Sequence, residues 1–302
     1  MQLNHILCGI LAASALPVFA GYEQLENRDL RRATAWAAGS NGQSQIDVIA
    51  KFTKRPASEF FVRPSPVKYL WVVRDRKDDA AAVVNQDANL IMLPGNQVIN
   101  VSTREVVDKE GVDILKAGIL QNISPDLILE YKMGSGEGRN LFLWTAVDCP
   151  SCTKLDNSID AITRGMDGVI RMVPTSINPI NKFTVNRIWC SSDPAKAWSV
   201  WMREKKLPNP SKADSVVKGC EKGYTLAEDL SAVLTSVGWP IYGTPSIIYE
   251  NGFVSPHILR TVGERGSNLL TVPARVNVLK TGFVEVPNVW KALPKAKISS
   301  SK

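Results

Sequence analysis

The first half of the chain carries its hydrophobic residues in short runs separated by turn formers. Tyr69-Leu70-Trp71-Val72-Val73, Leu90-Ile91-Met92-Leu93 and Gln97-Val98-Ile99-Asn100-Val101 are rich in β-branched and aromatic residues and predict three short strands. Pro94-Gly95-Asn96 lies between the second and third and predicts a hairpin turn. Gly111 to Leu120 has the spacing of a helix. Ser124-Pro125-Asp126 offers an N-cap serine and a proline at the first helical position, so a second helix is predicted from Ser124 to about Met133. Gly134-Ser135-Gly136-Glu137-Gly138 then reads as a flexible joint. The implied organisation is an N-terminal domain over 21–133 ending in a linker helix, a joint over 134–139, and a second domain over 140–302.

The second half changes period. Leu141-Phe142-Leu143-Trp144-Thr145 is continuously apolar, as in a strand buried on both faces. A helix is expected to begin near Cys149, because Cys152, Leu155, Ile159 and Ile162 fall on one stripe. Val169 to Val173 predicts the next strand, and Pro194 to Glu204 a helix. Thr225-Leu226-Ala227-Glu228 has the form of a capping box opening a helix to about Val237. Ser246 to Tyr249 predicts a strand after Pro245, with Asn251-Gly252 as a tight turn. Val272 to Val286 has strand character, and Pro294 to Lys302 reads as a frayed tail. The class is α/β in this half, preceded by a smaller strand-rich domain, hence α+β overall.

Ile6 to Ala20 is nearly all apolar and ends in Val18-Phe19-Ala20, so residues 1–20 are expected to be a secretory signal peptide cut before Gly21. The run is short for a spanning helix, and the residues before Cys8 make a poor lipid-attachment signal. Export changes what cysteine means. Without Cys8 the chain keeps Cys149, Cys152, Cys190 and Cys220, an even number in an oxidising compartment. Net charge is +7. Residues 21–140 balance at 16 basic and 16 acidic, so the excess lies in 141–302. The basic residues are dispersed without aromatic interleaving, which argues against nucleic acid as a partner.

The sharpest chemistry is Cys149-Pro150-Ser151-Cys152, reached directly from a strand and opening a helix. The first sulfur would sit at the helix N-terminus, where unpaired N–H groups and the dipole stabilise a thiolate. The second, one turn in, would attack the mixed disulfide and release the substrate. A zinc site wants two close cysteine pairs, and the 29-residue gap between Cys190 and Cys220 does not supply the second. A merely structural disulfide leaves the strand–CxxC–helix context unexplained. His257 is the only histidine after the signal segment and gives a hydrolase nothing else to work with. Trp144, Trp189, Trp198 and Trp201 read as core packing, and Asp156 and Asp160 as solvated positions on the outer side of the helix. No metal box or phosphate loop is present, and no cofactor is expected.

Residues 141–252 resemble the catalytic domain of the bacterial periplasmic disulfide isomerases DsbC and DsbG. The features are the strand into Cys149-Pro150-Ser151-Cys152, Ile188-Trp189-Cys190, Cys220, and Gly243-Thr244-Pro245 before a strand ending in Asn251-Gly252. The resemblance implies a thioredoxin-like fold with a helical insertion and a cis Thr244-Pro245 bond facing the active cysteines. That bond would present Thr244 to a substrate strand. It implies a structural disulfide between Cys190 and Cys220. It also implies a periplasmic location in a Gram-negative bacterium, unfolded or misoxidised exported proteins as substrates, a DsbD-like membrane thiol reductant, and a V-shaped homodimer joined through the N-terminal domain. Pro150-Ser151 departs from the aromatic or histidine common between such cysteines, and Asp148 places a charge that opposes thiolate formation. The chain also runs some fifty residues past Asn251-Gly252. The functional readings are a disulfide isomerase or reductase, a dithiol oxidase, and a non-enzymatic chaperone or assembly factor for a conjugation or secretion apparatus.

Overall fold

The computed structural model describes residues 20–23, 28–95, 97–207, 217–239, 243–249 and 254–256. The expected signal segment up to residue 19, the Asn251-Gly252 turn, His257, the Val272–Val286 strands and the C-terminal tail lie outside these.

After a short strand β1 (Gly21–Glu23) and a 3₁₀ segment (Leu30–Ala37), helix α1 (Gln43–Thr53) precedes a five-stranded sheet. Its strands are β2 (Phe60–Pro64), β3 (Leu70–Asp75), β4 (Ala81–Asn85), β5 (Leu90–Leu93) and β6 (Gln97–Asn100), paired antiparallel in chain order. Side chains alternate across it. Leu70, Val72, Val83 and Met92 join the main core of the molecule, while Val73, Val84 and Ile91 pack with Ile49 of α1. Helix α2 (Lys109–Asn122) follows, capped by the Asp108 carboxylate on the Gly111 N–H.

The second sheet holds β7 (Leu129–Met133), β8 (Arg139–Ala146), β9 (Gly168–Thr175), β10 (Ser246–Ile248) and β11 (Val254–Pro256), with β1 at its edge in the order β1-β7-β9-β8-β10-β11. β8 and β9 run parallel, joined through helix α3 (Pro150–Ile162), and β10 returns antiparallel beside β8. Helices α4 (Lys182–Trp189) and α5 (Pro194–Glu204) are inserted after β9, before α6 (Gly223–Ser236). This is a thioredoxin-like fold with a helical insertion. Helix α6 packs against β9 on one side and against β3, β4 and β5 on the other, so one continuous core serves both sheets.

Three sequence expectations are corrected here. The linker helix predicted from Ser124 is a single 3₁₀ turn (Pro125–Leu127) followed by β7. Leu129, Tyr131 and Met133 are buried while Glu130 and Lys132 are half-exposed, a period of two that outweighs the Ser-Pro start signal. The joint at 134–139 is a fastened turn. Gly134 and Gly136 take positive φ, and the Asp167 carboxylate accepts from the Ser135 hydroxyl and the Gly136 N–H. A Cβ on Gly138 would lie 2.3 Å from the Asp167 carbonyl oxygen. The glycines serve close backbone approach rather than flexibility. The capping box at Thr225 is also unused. α6 begins at Gly223, and the Tyr224 N–H is taken by the Asn186 side chain.

Gly168 marks where β9 meets β8. Its φ is +139°, and a Cβ there would fall 2.1 Å from the Arg139 carbonyl oxygen. Gly168→Ala is expected to destabilise the protein by about 2–4 kcal/mol through combined strain and overlap. Urea unfolding measures this, and a loss under about 1 kcal/mol would show that the parallel pair yields to the added methyl.

Candidate redox site

Strand β8 ends at Ala146, and α3 starts four residues later. Cys149 is its N-cap, in extended conformation, and its Sγ accepts the Cys152 backbone N–H at 3.0 Å. Pro150 stands at the first helical position, where a missing N–H costs nothing. Cys152 faces inward with Leu155 and Ile159, on the predicted stripe. Cys149 and Cys152 are disulfide-bonded, with Cα atoms 5.1 Å apart. Pro150 is exposed and Ser151 half-buried.

A helix N-terminus with a sulfur at the cap is built for negative charge. On reduction, the Cys152 N–H would make a charge-assisted bond to a Cys149 thiolate. Cys149 is less open than a nucleophile at an exposed helix end was expected to be. In the disulfide form it is only 3% exposed, against 1% for Cys152. The carbonyl oxygen of Thr244 lies 3.1 Å from its sulfur. That contact follows from sheet register. Ser246 of β10 pairs with Trp144 of β8, so the residues just before β10 come to the end of β8 where α3 begins. The Thr244-Pro245 bond is cis, and the Thr244 Oγ1 is buried with no hydrogen-bond partner.

Asp148 turns to the neighbouring loop. Its carboxylate accepts from the backbone N–H groups of Ile177 and Asn178, both at 2.8 Å, from the Ser176 hydroxyl and from the Asn181 amide. Burial alone would raise its pKa, but these donors together hold it below the usual carboxylate value. A depressed folded pKa means stabilisation present above the unfolded pKa and lost as pH falls through the folded one. Asp148→Ala should therefore cost about 1–3 kcal/mol at neutral pH. Its deficit against wild type should shrink as pH falls below about 4. Thermal denaturation over that range measures the gap, and a deficit independent of pH would exclude the ionised carboxylate as its source.

Asp156, expected in solvent, is buried one turn beyond Cys152. It accepts from the Tyr22 hydroxyl and from Trp198 Nε1, and Arg203 Nε approaches its other oxygen to 3.6 Å. Burial pushes its pKa up, outweighing these donors. The reason it was missed is topological: Tyr22 comes from β1, 134 residues away in sequence. Asp160 is exposed, as expected, and accepts from Tyr131 and Arg203. Trp144, Trp189 and Trp198 are buried and Trp201 partly so, with the indole N–H of Trp201 donating to the Val147 carbonyl.

Cys190 and Cys220 form a second disulfide, Cα atoms 5.0 Å apart, joining the C-terminal end of α4 to the turn that opens α6. Among the described residues, no group of three or more His, Cys, Asp or Glu is placed to hold a metal, and no helix is long and apolar enough to cross a membrane. Sequence reading also missed the exposed apolar residues Ile177, Ile180 and Phe183 on the segment that Asp148 pins. Asn178-Pro179 was an available turn signal for that segment.

No family model matches the chain. A curated protein of Bordetella parapertussis, named "Probable thiol:disulfide interchange protein DsbC", is 26% identical over 157 residues, covering 51% of this chain and 50% of its own length. A protein of the same name from Bordetella avium is 24% identical over 156 residues, with the same coverage. The chain is similar to the thiol:disulfide interchange proteins named DsbC. It spans about half the length of the curated relatives it matches. Among solved structures, a disulfide interchange protein from Neisseria gonorrhoeae is 26% identical, with 43% of this chain and 84% of that chain aligned at a TM-score of 0.33. DsbG of Helicobacter pylori aligns over 68% of this chain and 99% of its own, at 14% identity and a TM-score of 0.29.

Proposed function

We propose that the chain is a periplasmic thiol:disulfide oxidoreductase that isomerises or reduces disulfides in exported proteins. The observation that carries this reading is the Cys149 sulfur at the cap of α3, 3.0 Å from the Cys152 N–H. Cys149 is the nucleophile. Its thiolate attacks a substrate disulfide, one sulfur–sulfur bond forms and the other substrate sulfur leaves as thiolate. In isomerisation that thiolate attacks elsewhere in the substrate, and a substrate thiolate finally displaces Cys149, with no net electron transfer. In reduction the Cys152 thiolate attacks Cys149 Sγ, two electrons pass to the substrate, and a DsbD-like membrane reductant restores the dithiol. Asp148, Pro150 and Ser151 set how readily the thiolate forms. Thr244 and Pro245 receive the substrate backbone, and the Cys190–Cys220 bridge is structural.

The N-terminal part, 21–133, supplies the contact for a homodimer, and 140–302 supplies the chemistry. The antiparallel sheet β2–β6 is what this stretch offers for the contact, since its β1 and β7 belong to the second sheet. Light scattering on the chain from Gly21 should give twice the monomer mass, and a monomer would refute the dimer. The direction of electron flow is tested by trapping thiols in intact cells with acid followed by alkylation. A mostly reduced Cys149–Cys152 pair is expected. A mostly oxidised pair would make the protein an oxidase.

A further inference from the structure

The small sheet does more than sit beside the redox sheet. Between them runs a groove of about 530 Å³. Ala81 and Pro94 of the small sheet, Glu228 and Ser231 of α6, and Gly243 and Thr244 are among the residues that line it. The groove is therefore lined in part by the residue whose carbonyl oxygen lies 3.1 Å from Cys149 Sγ. A polypeptide bonded through its cysteine to Cys149 has this channel at hand, and its volume lies within the usual range for ligand sites.

Its charge is specific. Arg74, which also lines the groove, is held by the Asp229 and Asp79 carboxylates, and Arg63 is held by Asp229. Two guanidiniums thus face those two carboxylates, and Glu228, half-buried beside the Tyr224 hydroxyl and within electrostatic reach of Arg63, adds a third, so this cluster of described residues carries one negative charge in excess. A half-buried cluster with one negative charge in excess attracts a cation more strongly than a carboxylate in open solvent.

We propose that this groove binds an extended substrate segment next to the attacked cysteine, and that Glu228 selects segments with a lysine or arginine near that cysteine. The proposal rests on the reading of Cys149–Cys152 as the exchange centre. It makes the small sheet part of the substrate site of its own chain.

The test compares rates of oxidation of the reduced protein by three disulfides. Two are matched cystine peptides with lysine or glutamate beside the cysteine, and the third is the neutral bis(2-hydroxyethyl) disulfide. Wild type should prefer the lysine peptide by about tenfold at low salt, less at high salt. Glu228→Gln, a change at a half-exposed position, should reduce the preference to about twofold or less. Ala81→Trp, which fills the groove, should lower both peptide rates by about tenfold relative to the small disulfide. Equal rates for the two peptides in wild type, or a preference that survives Glu228→Gln, would overturn the groove while reaction with the small disulfide leaves the exchange centre standing. No reaction with any of the three would overturn the exchange centre and the groove together.

Discussion

Cys152→Ser is expected to accumulate mixed disulfides with substrate proteins, whereas Cys149→Ser forms none and loses exchange by at least about 10³-fold. The asymmetry follows from position in α3. Cys149 caps the helix, where its sulfur meets the Cys152 N–H and the edge of the Thr244 loop. Cys152 lies one turn in, on the buried stripe with Leu155 and Ile159. Removing the second thiol leaves attack intact and deletes the escape step, so the covalent intermediate persists. Non-reducing electrophoresis of protein purified from acid-quenched cells reads this directly. Adducts on Cys149→Ser, formed through Cys152, would reverse the assignment.

The second large effect is structural. Asp229 is 1% exposed and holds two guanidiniums. Arg63 reaches it through Nε and Nη2 at 3.0 and 2.8 Å, and Arg74 Nη2 at 3.2 Å. The arginines belong to β2 and β3, the carboxylate to α6, so the cluster fastens the small sheet to the helix that covers the second sheet. Asp229→Ala takes from Arg63 and Arg74 the buried anion they share, leaving them only the less buried Asp79 and Glu228, and should cost about 3 kcal/mol. Replacing Arg63, Arg74 and Asp229 together by apolar residues of similar volume should recover most of that loss. Urea unfolding of the two variants separates these outcomes. A loss below about 1 kcal/mol for Asp229→Ala would mean the sheet is held by apolar contact alone.

How much of this was legible in the sequence depended on range. β8, α3, β9, α5 and β10 were readable because each has a strong local period or a proline or cysteine fixing its start. The hairpin that sets Leu93 opposite Gln97 was readable for the same reason, since Pro94-Gly95 marks its turn. β4 escaped because its run is short and begins with two alanines, and α1 because its apolar residues are scattered round the helix: only Gln45 and Ile49 of it are buried. β7 was misread because Ser124-Pro125-Asp126 is a valid helix start, and Asp126 is instead taken by Arg32 and the Asp29 N–H. The Asp156 cluster and the Asp229 cluster join residues 134 and 166 apart, and no local pattern announces such pairs. The dithiol was legible because its chemistry needs one strand end and one helix turn, both written within a dozen residues.

The two disulfides are expected to behave differently. The most direct measurement equilibrates the oxidised protein with a graded series of glutathione redox buffers, quenches with acid, alkylates and maps each cysteine by mass spectrometry. Cys149 and Cys152 are predicted to open together in one two-electron transition, with glutathione adducts on Cys149 at intermediate points, while Cys190–Cys220 stays closed throughout. If Cys149–Cys152 stays closed under conditions that open Cys190–Cys220, the helix-cap pair is not the exchange centre.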